Sequence, residues 1–325
     1  MEEVAVRITR CVFCAAALTF ALSAHGQSYP AKPIRYIVPF PAGGGQDLVV
    51  RALAPRLTEA LGQPVVVDNR PGAATMVGAE LAAKSPPDGY TVFNGSNTTL
   101  SINPNLYTKV PYDPIRDFMP VTQIASVPNL LIVHPSLPAK SVRELAALAR
   151  SRPNQLNYAS SGIGTPAQLA GVMFGDAANA KLVHVPYRGT SLALTAVISG
   201  ESQIMFSSMA AALPFVKSGR MRAIAVTGAK RSLAAPDVPT VAETFPGFEA
   251  ITWYGLFVPA GTPAAIIARL NSETVKILRA PEFRDWLVGQ GADPAPSTPE
   301  ELAAFVKAEL VKYAKLVKDS GMKPE

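Results

Sequence analysis

Short apolar segments alternate with amphipathic stretches in the first part of the chain. Residues 34–38, 64–68 and 90–93 are apolar, largely β-branched runs that favour strands. Apolar side chains recur at the helical spacing after residue 47 as far as residue 61, and residues 73–84 favour a second helix. This strand, helix, strand, helix, strand order predicts a parallel sheet covered by helices.

The pattern restarts after a proline-punctuated segment at residues 96–120. An extended apolar stretch at residues 121–133 comes first, and another lies at residues 251–258. Between them the same spacing rules predict four helices and four strands. The helices are expected at residues 142–150, 166–174, 192–199 and 210–218, and the strands at residues 156–160, 182–186, 203–207 and 222–227.

The two extended stretches predict a chain that builds two α/β lobes. A chain that leaves one lobe, builds a second and returns needs two crossing segments, and residues 121–133 and 250–258 lie at the required places. A cleft between the lobes would be lined by the loops at the carboxyl ends of the strands. We expect residues 27–126 and 250–325 to form lobe 1, and residues 127–249 to form lobe 2.

The C-terminal helix has a clear start and one apolar face. Thr298 and Glu301 match the capping-box pattern at its beginning. Its charged side chains, among them Lys307 and Glu309, fall largely outside the apolar stripe, and we expect them to form a solvated face. The stripe consists of Leu302, Val306, Leu310, Tyr313 and Val317.

The first 26 residues have the organisation of a secretory signal peptide. Arg7 and Arg10 precede an apolar run from Cys11 to Ala24. That run is shorter than the roughly 20 residues that a membrane span needs. We therefore expect residues 1–26 to be removed on export and the mature protein to be periplasmic, with a retained membrane anchor as the alternative.

Composition and charge limit the kinds of partner, ligand and cofactor that we expect. The chain has 325 residues, a net charge of +6 and no dense tract of lysine and arginine, so we expect no nucleic-acid partner, while the charge favours anionic ligands. Both of its 2 cysteines lie in the predicted signal peptide. The mature chain would keep only His134 and His184, which are too few for a metal cluster, and we expect neither a metal nor a cofactor.

Two glycine-rich loops between a strand and a helix have the same construction. We call residues 41–47 the first glycine loop and residues 160–166 the second, with Asp47 and Thr165 as the expected N-caps. Glycine lets the backbone approach a ligand closely, and a helix N-terminus offers free N–H groups. The interpretation without a ligand is that the glycines only make tight turns. The candidate ligand-binding residues are Pro41, Ala42, Gly43, Gly44, Gly45 and Asp47 in the first loop, and Ser160, Ser161, Gly162, Gly164 and Thr165 in the second.

The end of another second-lobe strand adds Tyr187 and Arg188 to the candidate site. Strand ends of this lobe are expected to face the cleft, where the Arg188 guanidinium could pair with a carboxylate. A guanidinium keeps its charge at any working pH. The alternative is a solvent-facing arginine in a loop.

Two enzymatic interpretations compete with a binding protein. Residues 162–167 fit the permissive G-x-G-x-x-A dinucleotide pattern, but no acidic residue follows about 20 positions later. A serine hydrolase would carry the G-x-S-x-G pattern, which the sequence lacks, and no histidine lies near Ser160 in the sequence. The residues therefore favour a receptor rather than an enzyme, with an exported oxidoreductase or hydrolase as the alternative.

Several ordered motifs resemble those of one family of exported receptors. They include P-A-G-G-G-Q-D at residues 41–47, H-V-P-Y-R-G at residues 184–189 and P-A-G-T-P at residues 259–263. Others lie at residues 62–73, 87–91, 103–107, 158–165 and 236–240. With these motifs, nearly the whole mature chain is similar to the tripartite tricarboxylate transporter substrate-binding proteins, the Bug-type periplasmic receptors.

The resemblance implies a fold, a mode of binding and a partner. The implied fold is the α/β type II periplasmic-binding-protein fold, with two lobes joined by crossing strands around a cleft. Backbone groups of the two glycine loops, with ordered waters, would hold a carboxylate of the ligand. The implied partner is an integral-membrane permease of the tripartite tricarboxylate type or a sensor protein, and we expect the receptor to be a monomer.

Some positions depart from the family pattern and bear on the far end of the ligand. Gln46 replaces the common Thr or Ser, Gln168 a frequent His, Thr165 a frequent Ser, and residues 203–205 lack the usual acidic residue. A ligand ammonium group would need an acidic partner, and only Asp47 is an obvious candidate, already assigned as a helix cap. These departures favour a di- or tricarboxylate or an aromatic acid over an amino acid.

Overall fold

The computed structural model describes residues 29–162 and 164–320, so the predicted signal peptide lies outside the described residues. The segments predicted as strands are all extended in the structure. In chain order the strands are β1 (Ile34–Val38), β2 (Val65–Asn69), β3 (Thr91–Ser96), β4 (Phe118–Val133), β5 (Asn157–Ser160), β6 (Val183–Pro186), β7 (Ile204–Ser208), β8 (Arg222–Val226), β9 (Ile251–Pro259) and β10 (Asp293–Pro294).

Helices separate most of these strands. They are α1 (Gly45–Leu61), α2 (Met76–Ala83), α3 (Asn103–Leu106), α4 (Val142–Ser151), α5 (Pro166–Ala178), α6 (Thr190–Ile198), α7 (Met209–Lys217), α8 (Ala264–Arg279), α9 (Pro281–Gly289) and α10 (Pro299–Ser320). Short 3₁₀ turns occupy Ala73–Thr75 and Val241–Glu243, and a π-helical turn occupies Thr98–Ile102.

One mixed sheet runs through the molecule in the order β2-β1-β3-β9-β4-β7-β5-β6, with β8 and β10 paired to β4. β1 is parallel to β2 and β3, and β5 is parallel to β6 and β7. β9 runs antiparallel to both β3 and β4. Helices α1, α8 and α9 pack on one face of the first set of strands, and α2 and α10 on the other. In the second set, α4 and α5 cover one face, and α6 and α7 the other.

β4 is the strand that the two lobes share. Its residues 118–128 pair with β9, and its residues 129–133 pair with β7. The chain returns through Ala250, whose N–H donates to Thr227 O at 2.9 Å, just before β9 begins. The two crossing segments therefore lie where the sequence predicts them, and the α/β fold with two lobes joined by crossing strands is confirmed. The exact lobe boundaries stay a prediction.

Two stretches differ from the predicted elements. The helix expected at residues 73–84 begins only at Met76, because Ala73, Ala74 and Thr75 have φ angles of 43°, 50° and 81°. These left-handed conformations cannot belong to a right-handed helix. The segment at residues 96–120, for which no helix was predicted, contains the π-helical turn and α3.

The start of α10 is confirmed, but one of its charges is not solvated. Thr298 and Glu301 form the reciprocal capping box, with N–H to side-chain oxygen distances of 2.8 and 3.1 Å. Glu309 is only 2% exposed, so its assignment to a solvated face was wrong. Its carboxylate accepts hydrogen bonds from Trp253 Nε1 at 3.0 Å and from Lys312 Nζ at 2.7 Å. A buried indole N–H needs an acceptor, and Glu309 supplies it.

Candidate ligand site

The first glycine loop leads from the carboxyl end of β1 into α1. The helix begins at Gly45, with Gly44 as its N-cap, and its first backbone hydrogen bond is donated by Leu48 N–H to Gly44 O at 2.9 Å. The N–H groups of Gly45, Gln46 and Asp47 precede that bond and are the ones that a helix leaves without an intrahelical acceptor. Because the positive end of the helix dipole lies here too, this turn is suited to bind an anion.

Asp47 shapes this loop instead of capping the helix, so its predicted role as the N-cap was wrong. It is the third residue of α1, only 1% exposed, and its carboxylate accepts from Gly43 N, Arg51 Nε and Asn69 Nδ2, each at 2.8 Å. Burial acts to raise the pKa of Asp47, but these hydrogen bonds outweigh it and hold the pKa below its ordinary value. The carboxylate is therefore charged and occupied by protein donors.

The predicted residues of the first loop itself are open to solvent. Pro41, Ala42 and the three glycines are all exposed. Gly43 has a φ of +83°, which favours glycine, whereas Gly44 has a φ of −74° that any residue adopts. A Cβ on Gly44 would come only as near as 3.4 Å to Pro41 O. Among the described residues, and apart from its chain neighbours, a Cβ on Gly44 would therefore meet only this oxygen within 4 Å.

The second glycine loop repeats this construction between β5 and α5. Thr165 is the N-cap, as predicted, and its side chain accepts from Gln168 N at 3.4 Å. The Gln168 side chain accepts from Gly164 N at 2.7 Å, just as Asp47 accepts from Gly43. In each loop the third helical residue holds the N–H of the glycine that precedes the N-cap. The two loops are thus matched in hydrogen bonding as well as in sequence.

Ser160 occupies a buried position under the second loop and is close to a histidine. Its Oγ donates to Gly162 O at 2.9 Å and lies 2.6 Å from His184 Nε2. His184 is distant from Ser160 in the sequence, but the parallel pairing of β5 and β6 brings the two residues together. Ser161 and Gly162 are half-buried, and Thr165 Oγ1 donates to Gly162 O at 2.8 Å. Burial lowers the pKa of His184.

Tyr187 and Arg188 lie next to the second loop but differ in their environment. The Tyr187 hydroxyl donates to Glu201 Oε1 at 2.8 Å, so it is occupied by the protein. Its backbone N–H donates to Ser160 O at 3.0 Å and so supports the loop. The Arg188 side chain is exposed, and among the described residues no hydrogen bond or ion pair involves its guanidinium. Of the two, Arg188 is the side chain available to a ligand.

The second loop faces a helix of the first lobe. A Cβ on Gly164, whose φ is +74°, would lie 3.8 Å from Leu106 Cδ2 in α3. On the first-lobe side, a Cβ on Gly45 would lie 3.6 Å from the Tyr254 hydroxyl in β9. Burial raises the pKa of that phenol to about 12, so it stays a neutral donor.

Some residues that shape the site escaped the sequence interpretation. Asn69 ends β2, and because β1 and β2 are parallel neighbours its position beside the first loop follows from their order. The pair formed by Gln46 Oε1 and Asn94 Nδ2, 2.6 Å apart, and the approach of Tyr254 depend on how β3 pairs with β9. No local sequence pattern signals that antiparallel pairing.

Two matched glycine-rich loops at helix N-termini, on a two-lobed α/β fold, are the arrangement expected of a solute-binding protein. The family model described as "Tripartite tricarboxylate transporter family receptor" matches residues 49–322. The chain therefore belongs to this receptor family, whose members are periplasmic solute-binding receptors and not enzymes. This finding confirms the predicted family and the preference for a receptor over an enzyme.

Named relatives and solved structures agree with this family. The Bordetella pertussis protein BugT is 35% identical over 298 residues, which cover 91% of each chain. The Rhodopseudomonas palustris protein Rpa4515, solved with adipate, is 35% identical with a TM-score of 0.76, over 91% of this chain and 100% of that one. MatC from the same organism, solved with bound malate, is 31% identical with a TM-score of 0.71, over 89% of this chain and 100% of that one.

Two further observations concern membranes and metals. Within residues 29–162 and 164–320, the helices are either too short or too polar to cross a bilayer. The same residues contain no cluster of three or more histidine, cysteine or acidic side chains that would hold a metal ion.

Proposed function

We propose that the protein is an exported receptor that captures a small organic carboxylate in the cleft between its lobes. The observation that carries this proposal is the matched construction of the two glycine loops. In each, one glycine N–H is held by the third residue of the following helix, which fixes the loop at a helix N-terminus. Fixed N–H donors and two positive dipole ends suit a carboxylate better than a neutral or cationic solute.

The charges around the loops support a plain acid as the ligand. Asp47 is the acidic residue of the first loop, and its oxygens already accept from Gly43, Arg51 and Asn69. It is therefore not free to pair with a ligand ammonium group. Arg188 supplies a cation with no protein partner among the described residues. Together they favour a di- or tricarboxylate or an aromatic acid over an amino acid.

The relatives support the same ligand class and suggest the biological setting. Two structural neighbours of 35% and 31% identity were solved with adipate and with malate, both of which are dicarboxylates. On this basis we propose that the chain is exported by a cleaved signal peptide at residues 1–26 and works in the periplasm as a monomer. It would deliver its ligand to an integral-membrane permease of the tripartite tricarboxylate type or report it to a sensor protein.

A thermal-shift screen tests the proposed function. Succinate, malate, adipate, citrate and benzoate would be added to the purified protein, with aspartate to test amino acids and 1,6-hexanediol as the uncharged match for adipate. A ligand that binds only the folded state raises Tm, and the rise grows with the logarithm of its concentration above Kd. We expect at least one of the acids without an amino group to raise Tm and hexanediol to leave it unchanged. An unchanged Tm with every acid would contradict the proposal.

A further inference from the structure

Three groups form a buried chain of hydrogen bonds under the second glycine loop. His184 Nε2 lies 2.6 Å from Ser160 Oγ, and Ser160 Oγ lies 2.9 Å from Gly162 O. The Gly162 N–H also donates to Ser160 Oγ at 3.2 Å. The Ser160 side chain has no exposed surface, so water does not compete for these contacts.

Counting the protons in these hydrogen bonds selects one tautomer of the imidazole. A serine hydroxyl has one proton and two lone pairs. Gly162 N–H takes one lone pair, and Gly162 O, which has no proton, is satisfied by Ser160 only if it receives the hydroxyl proton. His184 Nε2 must then donate its own proton to the remaining lone pair. With the hydroxyl proton on Gly162 O, the 2.6 Å contact fits the Nε2–H tautomer of a neutral His184. Burial favours the neutral form because it lowers the pKa of this group.

The imidazole is held in place by the sheet. In the register of β5 and β6, His184 lies opposite Tyr158, and their rings stack with centroids 4.9 Å apart at an angle of 29°. The Tyr158 ring is itself buried, with 3% of its surface exposed. His184 therefore reaches the second loop from a neighbouring strand, and its ring is held in place. Asn69 likewise reaches from β2 to the first loop, where its Nδ2 donates to Phe40 O at 3.1 Å.

We propose that His184 is a positioning residue of the carboxylate site, acting through Ser160. This inference rests on the proposed function of the second glycine loop. We call the hydrogen bonds from His184 through Ser160 to Gly162 the relay. The relay keeps the Gly162 carbonyl oxygen turned towards the buried Ser160 side chain. Thr165 Oγ1 holds the same oxygen from the other side at 2.8 Å. Without the relay only Thr165 Oγ1 holds this carbonyl, which then turns outward more readily and repels a ligand carboxylate.

Nitrogen NMR of the histidine side chains tests the relay without any ligand. The ¹⁵N shifts of a neutral imidazole distinguish its two tautomers, and the His184→Gln spectrum assigns the signals. We expect His184 to carry its proton on Nε2. A proton on Nδ1 would mean that Ser160 donates to the imidazole and not to Gly162, which would overturn the inference whatever the protein binds.

Binding of adipate and malate, measured by calorimetric titration, tests the consequence. Ser160→Ala and His184→Leu break the relay and are expected to weaken binding at least about fivefold. His184→Gln places an amide donor near the Nε2 position and is expected to restore most of the affinity. Ser101→Ala is the matched control, because Ser101 is a buried serine whose hydroxyl has no hydrogen-bond partner among the described residues.

The outcomes separate this inference from the proposed function. Circular dichroism and the Tm of each variant establish that it is folded, and Ser160→Ala keeps the test open if His184→Leu does not fold. Equal affinities of the wild type, Ser160→Ala and every folded His184 variant would overturn the positioning role alone. A wild type that binds no acid of the screen would overturn the proposed function and the positioning role with it, whichever tautomer is found.

Discussion

At the scale of single residues, two different side chains perform the same task. Asp47 and Gln168 are each the third residue of a helix, and each accepts from the glycine N–H just before the N-cap. The sequence made both loops visible as glycine-rich segments, but it did not show which side chains hold them. That assignment depends on where each helix begins, and local sequence leaves a helix boundary uncertain by a residue or two.

Arg188 is the candidate ligand contact that a substitution tests most simply. If its exposed guanidinium pairs with the ligand, Arg188→Ala should weaken binding by about 1.5–3 kcal/mol, which is roughly ten- to a hundredfold. Arg188→Lys should recover part of this loss, because it keeps the charge but not the planar pair of donors. Calorimetric titration measures both, with the exposed Arg152→Ala as the charge-matched control. A loss of less than about twofold for Arg188→Ala would make Arg188 a plain surface residue.

His184 is expected to make the folded state less stable in mildly acidic solution. Burial lowers its folded-state pKa below the ordinary value of about 6.5. The unfolded chain therefore takes up the proton first, and the folded state loses stability as the pH falls below that value. Urea unfolding should give a lower free energy of unfolding at about pH 5.5 than at about pH 7.5, and His184→Gln should reduce that difference. The same difference in both proteins would assign it to other groups.

At the scale of elements, hydrophobic periodicity predicted most of the strands and helices but not the polar interior between them. The stripe of α10 was predicted, and Leu302, Val306 and Tyr313 are buried as expected. Glu309 was misassigned on its charge alone. It lies seven residues after Leu302, on the same face of α10, where it meets Trp253 of β9. The π-helical turn at Thr98–Ile102 was missed because polar residues dominate its sequence, and their burial follows from tertiary packing.

The buried Glu309 makes a specific prediction for stability. Glu309→Ala leaves the Trp253 N–H without an acceptor and removes the partner of Lys312, and it should lower the free energy of unfolding by about 2–3 kcal/mol. Glu309→Gln should cost less, because its amide oxygen still accepts from Trp253. Urea unfolding followed by tryptophan fluorescence measures both. As the control, Lys307→Ala at an exposed position should change the free energy of unfolding by less than about 0.5 kcal/mol. An equally small change for Glu309→Ala would mean that Glu309 is part of the solvated face.

At the scale of the whole molecule, the lobes are joined by more than the two crossing strands. Asp293 in β10 accepts from Ser232 Oγ at 3.1 Å and from Leu233 N at 3.0 Å, in the segment that follows β8. Near the other end of the chain, Tyr313 of α10 packs in one cluster with Leu169 of α5. The crossing strands could be predicted from sequence, because both are long extended stretches. These contacts could not, because they join residues far apart in the chain.

Closure of the lobes around a ligand is the expected motion. A ligand held by a loop from each lobe lowers the free energy of the closed form relative to the open one, as in hinge-bending binding proteins. Small-angle X-ray scattering should show a smaller radius of gyration with saturating adipate or malate, whichever raises Tm. The same acid should leave the radius of the Gly44→Val variant unchanged. An unchanged radius for the wild type at saturation would count against hinge closure.

The proposed site requires both glycine loops to hold the same carboxylate, and calorimetric titration of glycine variants measures this most directly. We expect the wild type to bind one acid per chain, and Gly44→Val and Gly164→Val each to give no measurable heat. Gly44 tolerates a Cβ without backbone strain, so Gly44→Val should fold and fail only by filling the space in front of the loop. Gly164→Val adds strain at a φ of +74°. Gly289→Ala serves as the control, because a Cβ there would meet none of the described neighbouring atoms within 4 Å. A folded Gly44→Val or Gly164→Val protein that binds the acid with wild-type affinity would contradict the account.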